Sequence, residues 1–442
     1  MKKFLFLLND NQIDPLGVMY LIGNTPNVFF NVEFINEQTI DKAKSINWKD
    51  YDYVGFSTIT GSHKFHNELA GIVKKFHPTC CTIMGGPHPT FFHKECSMLK
   101  NIDYICVGEG INALPAWLNS ITGTNIIKNG GTLTHVSPAV EFNNINNPDR
   151  SILYNYSEAR KNNTIRNFMG IFGCPFNCSY CFNESWSKLY KETPRLRFKD
   201  PDKYIDEIKD CVSKYKTTLI YFQEDTFIVN KNWFNTVVDK LASEVKLPYH
   251  CHIRCDCMTE EVAKKLSETN CLSVTFAIEN GSYEYRKSML NRKITDEQIL
   301  QTANWLHKYG IKFRIENMVC LPNQDFVDDL RTLELNAKCN PTIGWASIFQ
   351  PFPNTKLGKF ALSTGEWDGN IDGICSGFFD KSPMKIKNRF FRQRLQKIFS
   401  LACKNTFVRK HIYLFLLLPF GIIYKYIYET YKKNKYKELF KI

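Results

Sequence analysis

Gly173-Cys174-Pro175-Phe176-Asn177-Cys178-Ser179-Tyr180-Cys181 sets three thiols at CxxxCxxC spacing. The stretch follows a short apolar run, Phe168–Phe172, which reads as a strand. Three cysteines on one loop can turn toward a single metal cluster, and thiolates are the usual ligands of iron–sulfur centres. A structural zinc site would want a fourth Cys or His close by. No His lies between residues 136 and 249. Three ligands on a four-iron cluster leave one iron open to bind a further molecule.

The 442 residues suggest two to three domains of roughly 100–200 residues each. Hydrophobic residues make up 43% and charged residues 23%, which excludes a disordered or fibrous chain. The start, Met1-Lys2-Lys3-Phe4-Leu5-Phe6-Leu7-Leu8, is reminiscent of an export leader. Its apolar run stops at Asn9-Asp10, too short for a leader core, and reads as a buried strand. The expectation is a cytoplasmic protein whose cysteines are reduced thiols or metal ligands.

Residues 1–120 alternate apolar runs with helical spacing. Phe4–Leu8, Tyr51–Ser57, Cys80–Met84 and Tyr104–Val107 read as strands, and Phe65–Phe76 and Ile111–Ile121 as helices. That alternation predicts a doubly wound parallel sheet, whose ligands sit at the carboxyl ends of the strands. The candidate ligand loops are Asp14-Pro15-Leu16-Gly17, Ser57-Thr58-Ile59-Thr60, Gly85-Gly86-Pro87-His88-Pro89-Thr90 and Gly108-Glu109-Gly110. Small residues there allow a large ligand to approach the backbone. Each loop taken singly also reads as a plain turn. Residues 121–165 are rich in Asn, with little periodicity, and read as a connector.

A second alternation follows. Thr218–Phe222, Ser273–Glu279, Lys312–Val319 and Ala346–Gln350 read as strands, as does the stretch at His250. The helices are Asp200–Lys214, Asn230–Glu244, Thr259–Glu268, Thr295–Lys308 and Phe326–Lys338. About six such units make a partial barrel whose loops converge on one mouth. Cys251, Cys255 and Cys257 read as buried thiols rather than as a second cluster.

The cysteine loop, with Tyr180 in its aromatic position, resembles the signature of radical S-adenosylmethionine (SAM) enzymes. The front motifs DPLGVMYL, DYVGFS, MGGPHPT and DYICVGEG resemble the cobalamin-binding domain of one class of them. That class includes carbon methylases and anaerobic magnesium-protoporphyrin monomethyl ester cyclases. The resemblance implies an N-terminal doubly wound, Rossmann-like cobalamin-binding sheet over 1–150, connector included. It implies a partial (β/α)6 radical SAM barrel over 151–360, followed by a basic helical segment over 361–442. It implies that Cys174, Cys178 and Cys181 hold a 4Fe-4S cluster. Tyr180, Glu224, Asp225, Arg254 and Glu279 would contact SAM, the acids Glu224 and Asp225 receiving its ammonium and Glu279 its ribose. Gly17, Ser57, Thr58, Thr60, Gly85, Gly86, His88, Gly108 and Glu109 would contact cobalamin. The Asp-x-His-x-x-Gly cobalt-ligand motif of other cobalamin proteins is absent. Cys320 stands where the family commonly has Gly. Asn354 also replaces a family Gly and suits the position if it needs a positive φ.

The net charge of +13 is local. Residues 381–442 hold 16 Lys and Arg against Glu429 and Glu438, and the rest of the chain sums to −1. A basic nucleic-acid-binding body is thereby excluded. The tail pairs a basic helical pattern, Lys385–Phe407, with an apolar run from His411 to Tyr424 broken by Pro419 and Gly421. At about 14 residues the run is shorter than the roughly 20 needed to span a bilayer. It reads either as an interfacial anchor on an anionic membrane or as a helical cap packed on the enzyme. The function that the family resemblance implies is reductive cleavage of SAM to a 5′-deoxyadenosyl radical, used for C-methylation through methylcobalamin. The alternatives are an oxidative cyclase or rearrangement enzyme, or a non-catalytic cobalamin and iron–sulfur sensor. The expected partners are a small-molecule or lipid-like substrate and a one-electron reductant of flavodoxin or ferredoxin type.

Overall fold

A computed structural model describes residues 1–9, 13–121, 123–133, 136, 138–190, 192–379, 381–418 and 421–441. Asp10, Pro419 and Phe420, which the sequence reading uses, lie outside the described residues. The chain forms two compact units with interleaved segments. One comprises Met1–Asn167, Ser185–Lys199 and Asp210–Lys216, and the other Phe168–Glu184, Asp200–Lys209 and Thr217–Ile442.

The first unit is built on six strands: β1 (Lys2–Leu8), β2 (Val28–Phe34), β3 (Tyr53–Ser57), β4 (Cys81–Gly85), β5 (Tyr104–Cys106) and β6 (Ile126–Lys128). Their order is β2-β1-β3-β4-β5-β6, parallel except for β6, which runs antiparallel to β5. Phe4–Leu8 is continuously apolar because both faces of β1 are covered. Leu5 and Leu7 join Val54, Phe56 and helix α2 (His63–Phe76) on one face. Phe4, Phe6 and Leu8 join Val32, Leu114 and helix α1 (Leu16–Gly23) on the other. Two elements escape the sequence pattern. β2 is an edge strand whose run is interrupted by Asn31 and Glu33. Gly17 lies in the first turn of α1 rather than in a loop.

The second sheet contains β7 (Ile165–Phe168), β8 (Leu219–Phe222), β9 (Tyr249–His252), β10 (Cys271–Glu279), β11 (Lys312–Val319) and β12 (Ile343–Ile348), adjacent in that order. Strands β8 to β12 pair in parallel. The strand expected at Phe168–Phe172 ends in the sheet at Phe168. The intervening helices begin on side-chain caps. Thr295 opens α3 (Asp296–Lys308) in a capping box with Gln298, and Asp325 opens α4 (Phe326–Cys339) in one with Asp328.

The strands alternate between two environments. Phe276 stacks on Phe313, which meets His307 of α3, so this face packs under helices. The opposite face is polar. His250 bonds the hydroxyls of Ser273 (2.8 Å) and Thr275 (3.0 Å), His252 bonds Tyr221 (3.1 Å), and Arg314 pairs with Glu316 (2.7 Å). The last helix, α6 (Gly421–Phe440), closes onto this face. Arg314 donates to the Tyr436 hydroxyl (2.7 Å), and the Phe440 ring lies 5.2 Å from His250. Before it, α5 (Arg389–Lys404) lies against β12 and α4. There Arg392 and Asp329, both fully buried, pair at 2.6 Å. The described tail therefore packs as a helical cap. Among the described residues, no helix is long and apolar enough to cross a membrane.

Candidate active site

The cysteine loop leaves the sheet at the end of β7, where the Gln223 amide donates to Phe168 O. Two glycines make the exit possible. A Cβ on Gly170 would fall 2.5 Å from the Tyr204 ring, and Gly173 has φ +87°. Backbone bonds then pin the loop, from Ser179 N to Leu290 O (3.0 Å) and from Leu357 N to Ser179 O (2.8 Å). Cys174, Cys178 and Cys181 are all unpaired thiols. Burial pushes the Cys174 thiol up to about 11 and that of Cys181 up to about 12. A bound metal is what would draw those protons off.

Two guanidinium groups converge on one of the three sulfurs. Arg254 donates to Cys178 Sγ at 3.5 Å and Arg292 donates to it at 3.6 Å. Arg254 lies over the Phe176 ring, 3.6 Å from its centroid, and is paired with Asp256 at 2.7 Å. Arg292 also donates to the Tyr180 hydroxyl (3.2 Å) and to Ala277 O (2.7 Å). Tyr180 in turn donates to Glu279 at 2.5 Å. Among the described residues, no group of three His, Cys, Asp or Glu is arranged to hold a single metal ion. An all-thiol donor set with cationic donors at one sulfur suits an iron–sulfur cluster.

The two acids after β8 have different settings. Glu224 is fully buried, and its Oε1 accepts from Gly170 N (2.6 Å) and the Tyr204 hydroxyl (2.7 Å). Burial pushes its carboxyl up to about 7, and among the described residues Oε2 has no hydrogen-bond partner. Glu224 thus fixes the start of the cysteine loop from behind. Asp225 is exposed and accepts from Asn183, two residues past Cys181 (2.8 Å). Glu279 ends β10 with φ +70°, a left-handed conformation. Cys320 has φ +64° in the place of the family's Gly, whereas Asn354 is not among the positive-φ residues. Cys251 and Cys255 are buried, as the sequence suggests, whereas Cys257, expected to be buried with them, is only partly so. Arg292 and Asn183 are absent from the sequence-derived set. Neither belongs to a spaced motif, and only the fold brings them to the loop.

In the first unit, the carboxyl ends of the strands enclose an apolar cavity of about 70 Å³. Ser57, Gly85, Gly86 and Gly108 line it with Phe6, Val18 and Leu114. Gly86 (φ +98°) leaves room for the Thr58 backbone, and a Cβ on Gly108 would fall 2.1 Å from the Tyr190 hydroxyl. Of the other expected contacts, Gly17 is exposed. Thr58, Thr60 and His88 are buried within the loops. Thr60 bonds His88 (3.2 Å), and His88 stacks on His63. Glu109 is held by Arg197 and by Val140 N (2.8 Å). No histidine is among the lining residues. Backbone, glycine and apolar side chains at strand ends fit an apolar portion of a large ligand.

Two stretches of the chain match known protein families. Residues 9–118 match the B12 binding domain, and residues 170–335 match the radical SAM superfamily. An uncharacterized methyltransferase of Pyrococcus horikoshii is 25% identical over 396 residues, covering 84% of this chain and 82% of its own length. An anaerobic magnesium-protoporphyrin IX monomethyl ester cyclase of Rubrivivax gelatinosus is 25% identical over 373 residues, covering 78% of this chain and 65% of that one. Among solved structures, the radical SAM methyltransferase TsrM of Kitasatospora setae, with cobalamin and a 4Fe-4S cluster bound, superposes with a TM-score of 0.65. It is 12% identical, with 88% of this chain and 80% of that chain covered. OxsB, a cobalamin-dependent SAM radical enzyme, gives 0.60 at 13% identity, covering 87% of this chain and 60% of that one. At these identities the structural likeness speaks for the fold.

Proposed function

We propose that this chain, in which a B12-binding domain precedes a radical SAM domain, is a cobalamin-dependent radical SAM enzyme that methylates carbon in a small-molecule or lipid-like substrate. The observation that carries the reading is the loop of three unpaired cysteines with two guanidinium groups on Cys178. When bound, the 4Fe-4S cluster, SAM and cobalamin supply one-electron cleavage of SAM and a carrier for a methyl group. Cys174, Cys178 and Cys181 would hold the cluster. Exposed Asp225 would receive the SAM ammonium. Glu224, buried beneath the loop, positions Gly170 rather than meeting the ligand. Ser57, Gly85, Gly86 and Gly108 would take an apolar part of cobalamin. We assign the functional division to 1–150, 151–360 and 361–442, with a one-electron reductant of flavodoxin or ferredoxin type as redox partner. A second reading, an oxidative cyclase, draws support from the likeness to the Rubrivivax enzyme. Transfer of a labelled methyl group from SAM to the substrate would separate the two.

We also place the enzyme at an anionic lipid surface. Phe407, Leu414 and Leu417 are 62%, 60% and 59% exposed on the helices that follow α5. Residues 381–428 carry eleven Lys and Arg and no Asp or Glu. Exposed apolar side chains on a segment rich in Lys and Arg suit anionic headgroups.

Reconstitution with iron and sulfide under anaerobic conditions tests the cluster assignment. The wild-type chain should gain the broad near-ultraviolet and visible absorbance of a 4Fe-4S cluster, and Cys174→Ala should lose it. Survival of that absorbance in the variant would refute the assignment.

A further inference from the structure

Arg292 is buried, with 4% of its surface exposed, yet it makes no ion pair among the described residues. Its hydrogen bonds go to the Tyr180 hydroxyl, Ala277 O and Cys178 Sγ, and among the described residues its Nε has no hydrogen-bond partner. A buried cation needs compensating negative charge, and the Glu279 carboxylate supplies part of it through the Tyr180 hydroxyl. Arg254, at the same sulfur, is different, because Asp256 neutralises it through two hydrogen bonds (3.0 and 2.7 Å). Unlike Arg254, Arg292 thus has no carboxylate hydrogen-bonded to it directly among the described residues, and Cys178 Sγ is the cluster-side group it reaches.

We infer that Arg292 is a positioning residue that sets the reduction potential of the cluster held by Cys178. The inference rests on the functional reading above. A 4Fe-4S cluster on three thiolates is anionic, and it gains one further negative charge when it takes an electron from a low-potential one-electron donor. A fixed guanidinium at one ligand sulfur stabilises the reduced state more than the oxidised state, which raises the potential. Arg254 contributes less because its charge is already spent on Asp256. The same guanidinium orients Tyr180, whose hydroxyl is committed to Glu279. Loading, potential and ligand geometry therefore meet at one side chain.

The test is an EPR-monitored redox titration of the reconstituted holoprotein. Arg292→Gln should retain full iron and sulfide content while its midpoint moves to more negative potential. Arg254→Gln should move it less. A wild-type midpoint in Arg292→Gln at full cluster content overturns the inference, as does a larger shift in Arg254→Gln. If Arg292→Gln fails to hold a cluster, resonance Raman spectra of Arg254→Gln decide, because Arg292 is then the guanidinium left on Cys178 Sγ. Exchange into deuterium oxide should shift the Fe–S(Cys) stretching bands of that variant, and unshifted bands overturn the proposal. Failure of the wild-type chain to assemble any 4Fe-4S cluster would instead defeat the functional reading itself.

Discussion

Cys178 and Arg292 are 114 residues apart in sequence and meet at 3.6 Å. The cysteines are legible from spacing alone, because three thiols on one loop have few other uses. Arg254 is legible through the strand that delivers it. Arg292 is not, since it sits in an irregular stretch after β10 and gains meaning only when β10 and the cysteine loop are neighbours. Glu224 shows the opposite error of emphasis. As an acid after a strand it reads as a ligand contact, whereas the fold turns it inward to Gly170 and Tyr204. Its setting has a pH signature. A carboxyl raised from 4.5 to about 7 keeps a proton in the folded chain that the unfolded chain has lost. Its contribution to stability is complete below pH 4.5 and is lost as pH rises through 7. Glu224→Gln should match the wild type at pH 4.5 and be more stable at pH 8, by up to about 3 kcal/mol. Urea midpoints at the two pH values measure this, and parallel pH dependences would contradict it.

At the level of elements, strands with both faces buried are the easiest to read, because burial makes them continuously apolar. β1, apolar from Phe4 to Leu8, is the example. β2 escapes because an edge strand tolerates Asn31 and Glu33. The tail escapes for another reason. Its charge pattern is compatible with a membrane and with a protein surface, and the fold uses it for packing in α5 and α6. Leu414 and Leu417 still point their side chains outward while Ile412 and Leu416 are buried. The double substitution Leu414→Glu and Leu417→Glu should therefore leave the fold intact. It should abolish co-sedimentation with phosphatidylglycerol vesicles, which the unsubstituted protein should show at low salt and lose at high salt. Equal binding by the variant, or none by the parent, would remove the lipid surface from the account.

For the whole molecule, the +13 charge divides into a near-neutral body and a basic tail, so it carries no information about the chemistry. The alternation of strands and helices makes both α/β units legible. Their interleaved boundaries are not, because Ser185–Lys199 and Asp210–Lys216 return to the first unit after the second has begun. Local propensity does not encode such returns. What the account claims of the whole is that the chain cleaves SAM reductively on a cluster held by Cys174, Cys178 and Cys181. The most direct measurement is anaerobic incubation of the reconstituted protein with SAM and a low-potential reductant, followed by chromatography of the nucleoside products. The account predicts 5′-deoxyadenosine that depends on reductant and is lost in Cys174→Ala. A fully reconstituted chain that yields none would contradict it.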